Sequence, residues 1–268
     1  SRLLLADLPS EHWSLDWLIC PHGPLQAIPW LALPAIDGAL LGERQGVTLV
    51  PYWSSLLRPM LPNRQLSYGE PFALAMRGSG DDLPAAQTEI DALTASSALQ
   101  PVVTWHPGSG DSAARLTDAL QHVQIWHFAG HGHFDPYDPS ASYLQCGDER
   151  LTVARFLAGE FIGPELRLVT LAACESGRLA TSSGHLVEGF TRALLATGTR
   201  AMLVGGWKVR DDVTAAFMRS FYQLISEDPA EALRETTIYV RHISPGNHPY
   251  FWAGFQLWGA PRLSFNRQ

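Results

Sequence analysis

Two side chains suited to proton transfer and nucleophilic attack stand where two apolar runs stop. The first run, Ile125 to Ala129 within QIWHFAGHGHF (Gln124 to Phe134), reads as a short buried strand halted by Gly130, with His131 between Gly130 and Gly132. The second, Leu166 to Ala173 (LRLVTLAA), ends at Cys174, followed by Glu175, Ser176 and Gly177. The glycines beside His131 allow a sharp turn and a close approach of backbone amides to a ligand. In a parallel α/β sheet, groups at the carboxyl ends of neighbouring strands converge on one crevice, which makes His131 and Cys174 the pair of interest.

A thiol becomes a nucleophile when a neighbouring base favours the thiolate, and that base later protonates the leaving group. His131 would carry the proton, Cys174 would attack, and the amides of Gly132 and Cys174 would stabilise the oxyanion. Other readings of the same residues stay open. A buried Cys on an apolar strand is often a small core residue, and a His beside glycines is often a turn residue. His127, inside the strand, reads as a core histidine supporting His131. His133 would share a face with His131 if the strand continued, and either His127 or His133 is an alternative base. Zinc held by His127, His131, His133 and Cys174 is a further reading. It is weakened by the glycines that interrupt the histidine spacing and by the lack of an acidic activator, so no metal or other cofactor is expected.

The elements that would position this pair alternate along the chain. Strands are expected at Trp17 to Cys20, Val47 to Tyr52, Phe72 to Met76, Val102 to Trp105, Ala201 to Gly205 and, as a final aromatic strand, Pro249 to Trp258. A short edge strand is expected at Ser142 to Cys146. Helices are expected at Ser54 to Leu61, Leu83 to Ala98, Ser112 to Leu120, Leu186 to Ala196, Val213 to Ile225 and Ala230 to Val240, with a helical turn at Val153 to Ala158. Leu179 to Gly184 reads as a mobile surface loop. The alternation argues for an α/β fold with a mostly parallel sheet flanked by helices.

Composition sets outer bounds. The 268 residues, 46% hydrophobic and 17% charged, suffice for a substantial core. A formal net charge of −7 argues against direct binding to nucleic acid or anionic lipid, and no apolar run is long enough for a membrane span. Three cysteines, Cys20, Cys146 and Cys174, make an odd count without close pairing, so a reducing, cytoplasmic setting is expected. The chain opens at Ser1, as expected of a processed product, a tag remnant or a piece of a longer protein.

The chain resembles the CHAT domain, a branch of the caspase, separase and gingipain group of cysteine peptidases. The resemblance rests on HFAGHGHF at His127 to Phe134, LVTLAACESG at Leu168 to Gly177, GHLVEGFTRALLATG at Gly184 to Gly198, GGWKVRDD at Gly205 to Asp212, and HPYFWAGFQLWG at His248 to Gly259. ICPHGPLQAIPWLAL at Ile19 to Leu33 is similar to the family's opening segment. The resemblance implies a catalytic dyad of His131 and Cys174 with an oxyanion hole at Gly132 and Cys174. It also implies an inactive caspase-like half over residues 1–110 and an active half over 111–268.

In separases, which GGWKVRDD resembles, an acidic residue four after the Trp lies in the pocket for a basic side chain before the scissile bond. Asp211 stands at that offset from Trp207, which makes both candidate substrate-binding residues. Arg210 is a competing partner for Asp211, and capping of a helix from Val213 by Asp211 and Asp212 is the plainer reading. The resemblance further implies a regulated signalling or defence endopeptidase cutting a specific protein, such as a gasdermin-like protein, under a regulatory or sensor module. The contrasting expectation is a pseudo-peptidase that serves as a binding scaffold.

Overall fold

The computed structural model describes residues 15–35, 37–53, 72–78, 84–108, 110, 112–133, 135, 137–172, 183–207, 209–225, 228–243, 247–263 and 265. Its strands are β1 (Trp17–Ile19), β2 (Val47–Leu49), β3 (Ala73–Arg77), β4 (Val102–Trp105), β5 (Ile125–Ala129), β6 (Gly132–His133), β7 (Tyr143–Cys146), β8 (Glu149–Thr152), β9 (Leu168–Leu171), β10 (Ala201–Gly205) and β11 (Phe255–Gly259). Its helices are α1 (Leu41–Arg44), α2 (Pro84–Thr94), α3 (Ser112–Leu120), α4 (Val153–Leu157), α5 (Ser183–Thr197), α6 (Asp211–Leu224) and α7 (Pro229–His242).

Eight strands form one sheet in the order β1-β2-β11-β10-β9-β5-β3-β4. Every pairing is parallel except β10 with β11. The sheet therefore has two blocks: β10, β9, β5, β3 and β4 run one way, and β11, β2 and β1 run the other. Strands from before and after residue 110 interleave in it, with β2 beside β11 and β3 beside β5.

β5 is buried along its whole length because helices cover both faces, which is why its sequence lacks the apolar-polar alternation of a half-exposed strand. On one face Trp126 and Phe128 meet an aromatic cluster; Trp126 stacks on Phe156, and Phe156 packs against Phe161 and Phe190. On the other face α2 packs on α6 and α6 on α7. There Phe217 stacks on Phe255 with ring centroids 3.9 Å apart.

Several sequence expectations are corrected in detail. Tyr143–Cys146 is the middle strand of a separate antiparallel sheet, β6-β7-β8, and no edge of the main sheet. Its partner β8 has no sequence signal of its own, since ERLT carries one apolar residue; the turn is supplied by Gly147 at φ +60°. The aromatic run from Pro249 splits into a 3-10 turn, Pro249–Phe251, and then β11. Helix α6 begins at Asp211, two residues earlier than expected, and α5 begins at Ser183, inside the expected loop. The expected helix from Ser54 and residues 179–182 of that loop lie outside the described residues. No described helix is long and apolar enough to cross a membrane.

Candidate active site

Strands β5 and β9 lie side by side and parallel, with Phe128 opposite Leu171 and the Ala172 amide donating to the Phe128 carbonyl at 3.0 Å. The chain leaving β5 toward His131 and the chain leaving β9 toward Cys174 thus start from adjacent points on one rim. Cys174 itself lies outside the described residues. His131 is partly exposed there.

Close packing fixes the turn that carries His131. The Gly78 amide, just past β3, donates to the Ala129 carbonyl at 2.7 Å. A Cβ on Gly78 would stand 2.7 Å from Gly130 Cα, and one on Gly130 would stand 2.6 Å from the Phe128 ring. Neither Gly130 nor Gly132 has a left-handed φ. Gly130 is therefore required for space, since two backbones touch, and not for an unusual dihedral. Beyond His131 the chain joins the small sheet, where the Gln145 amide donates to the His131 carbonyl at 2.9 Å. That bond makes His131 and Gln145 a hydrogen-bonded pair, and the alternation of an antiparallel ladder then turns the Gly132 N–H away from β7. This is the orientation an oxyanion donor needs.

His127 points away from His131, into the core. It is fully buried, with Nδ1 2.9 Å from the Tyr222 hydroxyl and Nε2 3.3 Å from a carboxylate oxygen of buried Glu89. Tyr222 in turn donates to Thr170 Oγ1 at 2.7 Å. Because that hydroxyl proton goes to Thr170, Tyr222 accepts from Nδ1–H of His127. Burial pushes the Tyr222 phenol far above its ordinary value, so it stays neutral. Thr170 and His127 are register partners on β9 and β5, so Tyr222 from α6 bridges the two strands that lead to the candidate pair. His127 is a core histidine, as its position inside the strand suggested, and its described partners are Tyr222 and Glu89. With it turned inward, the described histidines do not converge, and no group of three or more metal-ligating side chains gathers among the described residues.

Trp207 follows β10 on the same rim, two strands from β5. Its ring lies flat against Gly254, where a Cβ would stand 2.8 Å from Cε2, and stacks on Tyr250 while Nε1 donates to the Tyr250 carbonyl at 2.8 Å. Asp211 opens α6 four residues later; its side chain lies outside the described residues. Arg210 forms a two-point ion pair with Asp212, at 3.0 and 2.7 Å, which holds the exposed Asp212 carboxyl below the usual range.

The two described cysteines are unlike a nucleophile at this rim. Both are free thiols. Cys20 lies 3.8 Å from His22 Nε2, but it follows β1, whose carboxyl end is at the opposite rim. Cys146 is fully buried, and desolvation pushes its thiol up to about 12, so it is inert at neutral pH. Sequence reasoning missed Glu89, Tyr222 and Thr170, which meet only through the sheet, and Gly78, whose partner is 52 positions away.

The CHAT domain family model matches residues 4–260. No curated protein sequence matches the chain. Among solved structures, the Arg-specific cysteine proteinase gingipain R matches with a TM-score of 0.55 at 12% identity, over 84% of this chain and 56% of that one. The Saccharomyces cerevisiae separase in its complex with securin matches with a TM-score of 0.58 at 16% identity, over 88% of this chain and 15% of that one. The complex of Porphyromonas gingivalis RgpB pro- and mature domains matches with a TM-score of 0.52 at 10% identity, over 82% and 56%. At these identities the likeness is one of fold. The chain spans just over half of the gingipain chain and a small part of the separase chain.

Proposed function

We propose that this chain, which belongs to the CHAT domain family, is a cysteine endopeptidase in which His131 is the general base and acid and Cys174 the nucleophile. The observation that carries the reading is the adjacency of β5 and β9, parallel and in register up to their carboxyl ends, one strand leading to the imidazole and the other to the thiol. The Gly132 N–H, turned away from β7, supports its role, with the Cys174 amide, in the oxyanion hole. In the reaction His131 takes the thiol proton, the thiolate adds to the scissile carbonyl, and the collapsing intermediate expels the amine, which takes the proton from His131. Water then hydrolyses the acyl-enzyme with the same base.

The substrate is proposed to be a specific protein, such as a gasdermin-like protein, cut in the cytoplasm in a signalling or defence response under a sensor module. The inactive half is proposed as residues 1–110, since His131 and Cys174 both follow that point. Asp211 and Trp207 are proposed to receive a basic side chain before the scissile bond. Pairing of Arg210 with Asp212 supports this, because it engages the arginine next to Asp211 in sequence.

Cleavage of a proteome-derived peptide library, read by mass spectrometry, tests the proposal. Cys174→Ala should abolish every cut while leaving the melting temperature unchanged. Retained cleavage would overturn the dyad, and a Cys174 that a thiol-reactive peptide probe labels no faster than Cys20 would favour a binding scaffold. Equal turnover of Arg, Lys and Leu substrates would eliminate the basic pocket at Asp211.

A further inference from the structure

The small sheet places more than His131 at the rim. His131 lies opposite Gln145 through the bond from the Gln145 amide, and Gln145 lies opposite Arg150; His133 lies opposite Tyr143, which lies opposite Thr152. Residues directly opposite in an antiparallel sheet share a face, as do residues two apart on one strand. His131, His133, Tyr143 and Arg150 therefore belong to one face. The other face carries Leu144, Cys146 and Leu151, all buried. The outer face is organised: the His133 and Tyr143 rings have centroids 5.1 Å apart, and the Arg150 guanidinium lies 4.6 Å over the Tyr143 ring.

Neighbouring charges leave Arg150 available. Asp135 accepts from the amides of Tyr137 and Asp138, and Glu149 accepts from the Ala113 amide and lies 3.6 Å from Arg155. Among the described residues no carboxylate pairs with Arg150. One flat face of the guanidinium lies on the tyrosine ring, and because Arg150 is exposed the N–H edge stays open to solvent.

We propose that this face binds the part of the substrate that follows the scissile bond, and that Arg150 selects an acidic side chain there. The inference rests on His131 as the group that protonates the leaving amine, because the released segment must then emerge beside the imidazole. Arg150 stands two strand spacings from His131, about 10 Å, which an extended peptide covers in roughly three residues. An Asp or Glu about three residues after the cut meets Arg150, with the intervening side chains against Tyr143 and His133.

The test is the sequence downstream of each cut made by the full chain in a proteome-derived peptide library, followed by kcat/KM for synthetic peptides with Glu, Ala or Lys at that position. Wild type should prefer Glu over Ala by about fivefold, the size of an exposed charge pair near 1 kcal/mol. Arg150→Glu should reverse the preference toward Lys, and Arg150→Gln, which removes the charge and keeps a polar side chain, should lose it without reversal. Cuts with no acidic enrichment downstream, or an unchanged profile in Arg150→Glu, would overturn this inference and leave the peptidase standing. A wild-type chain that cuts nothing would remove the peptidase reading and this inference with it.

Discussion

Replacing Tyr222 by Phe removes one oxygen from the middle of the molecule and keeps the ring. That oxygen holds Nδ1 of His127 at 2.9 Å and Oγ1 of Thr170 at 2.7 Å, and all three residues are fully buried. Two polar atoms would then stand without that partner and without water to replace it. Each such orphan costs about 1–3 kcal/mol, while loss of the hydroxyl leaves little void, so Tyr222→Phe should destabilise the fold by about 2–4 kcal/mol. With a urea m-value near ~3 kcal/mol per molar, the midpoint should fall by about 1 M. Thr170→Val in the same background should then add less than it does alone, by about 1 kcal/mol, because its partner is already gone. Midpoint shifts under roughly 0.2 M for Tyr222→Phe, or full additivity with Thr170→Val, would refute the bridge between β5 and β9.

Three other outcomes follow from the same geometry. Gly78→Ala, which pushes a methyl into the Gly130 backbone, should destabilise by about 1–3 kcal/mol and lower kcat by at least about tenfold by shifting His131; a fully active variant would show that the turn tolerates the displacement. Gly254→Ala should lift the Trp207 ring off its seat, changing stability by under about 1 kcal/mol while weakening selection before the scissile bond, as profiled on Arg and Leu substrates. Cys146 has a folded pKa above its unfolded value, so its contribution is complete below about pH 9 and is lost as pH rises toward about 12. Unfolding free energies measured from pH 8 to 10 should therefore begin to fall above pH 9, by about 1 kcal/mol between pH 9 and 10, and Cys146→Ala should flatten that slope.

Runs such as Ile125 to Ala129 and Ala201 to Gly205 were legible because a strand buried on both faces needs apolar residues throughout, and glycine marks its end. The parallel sheet followed from alternation of strands and helices, and the family from ordered motifs around His131 and Cys174. What stayed hidden depends on partners far apart in sequence. Glu149–Thr152 becomes a strand only because Tyr143–Cys146 lies beside it, and Tyr222 looks like one more apolar position on α6 until His127 and Thr170 meet its hydroxyl. The reversal at β11 was equally silent, since PYFWAGFQLW carries no mark of direction.

That reversal decides where a tether could go. Because β1 and β2 run opposite to β5 and β9, residues upstream of Trp17 reach the sheet on the side that bears His131, five strand positions away. Some 24 Å separates the amino end of β1 from the end of β5 that leads to His131, a gap that seven or eight extended residues would bridge, so anything joined at that end of β1 starts on the rim of the candidate pair.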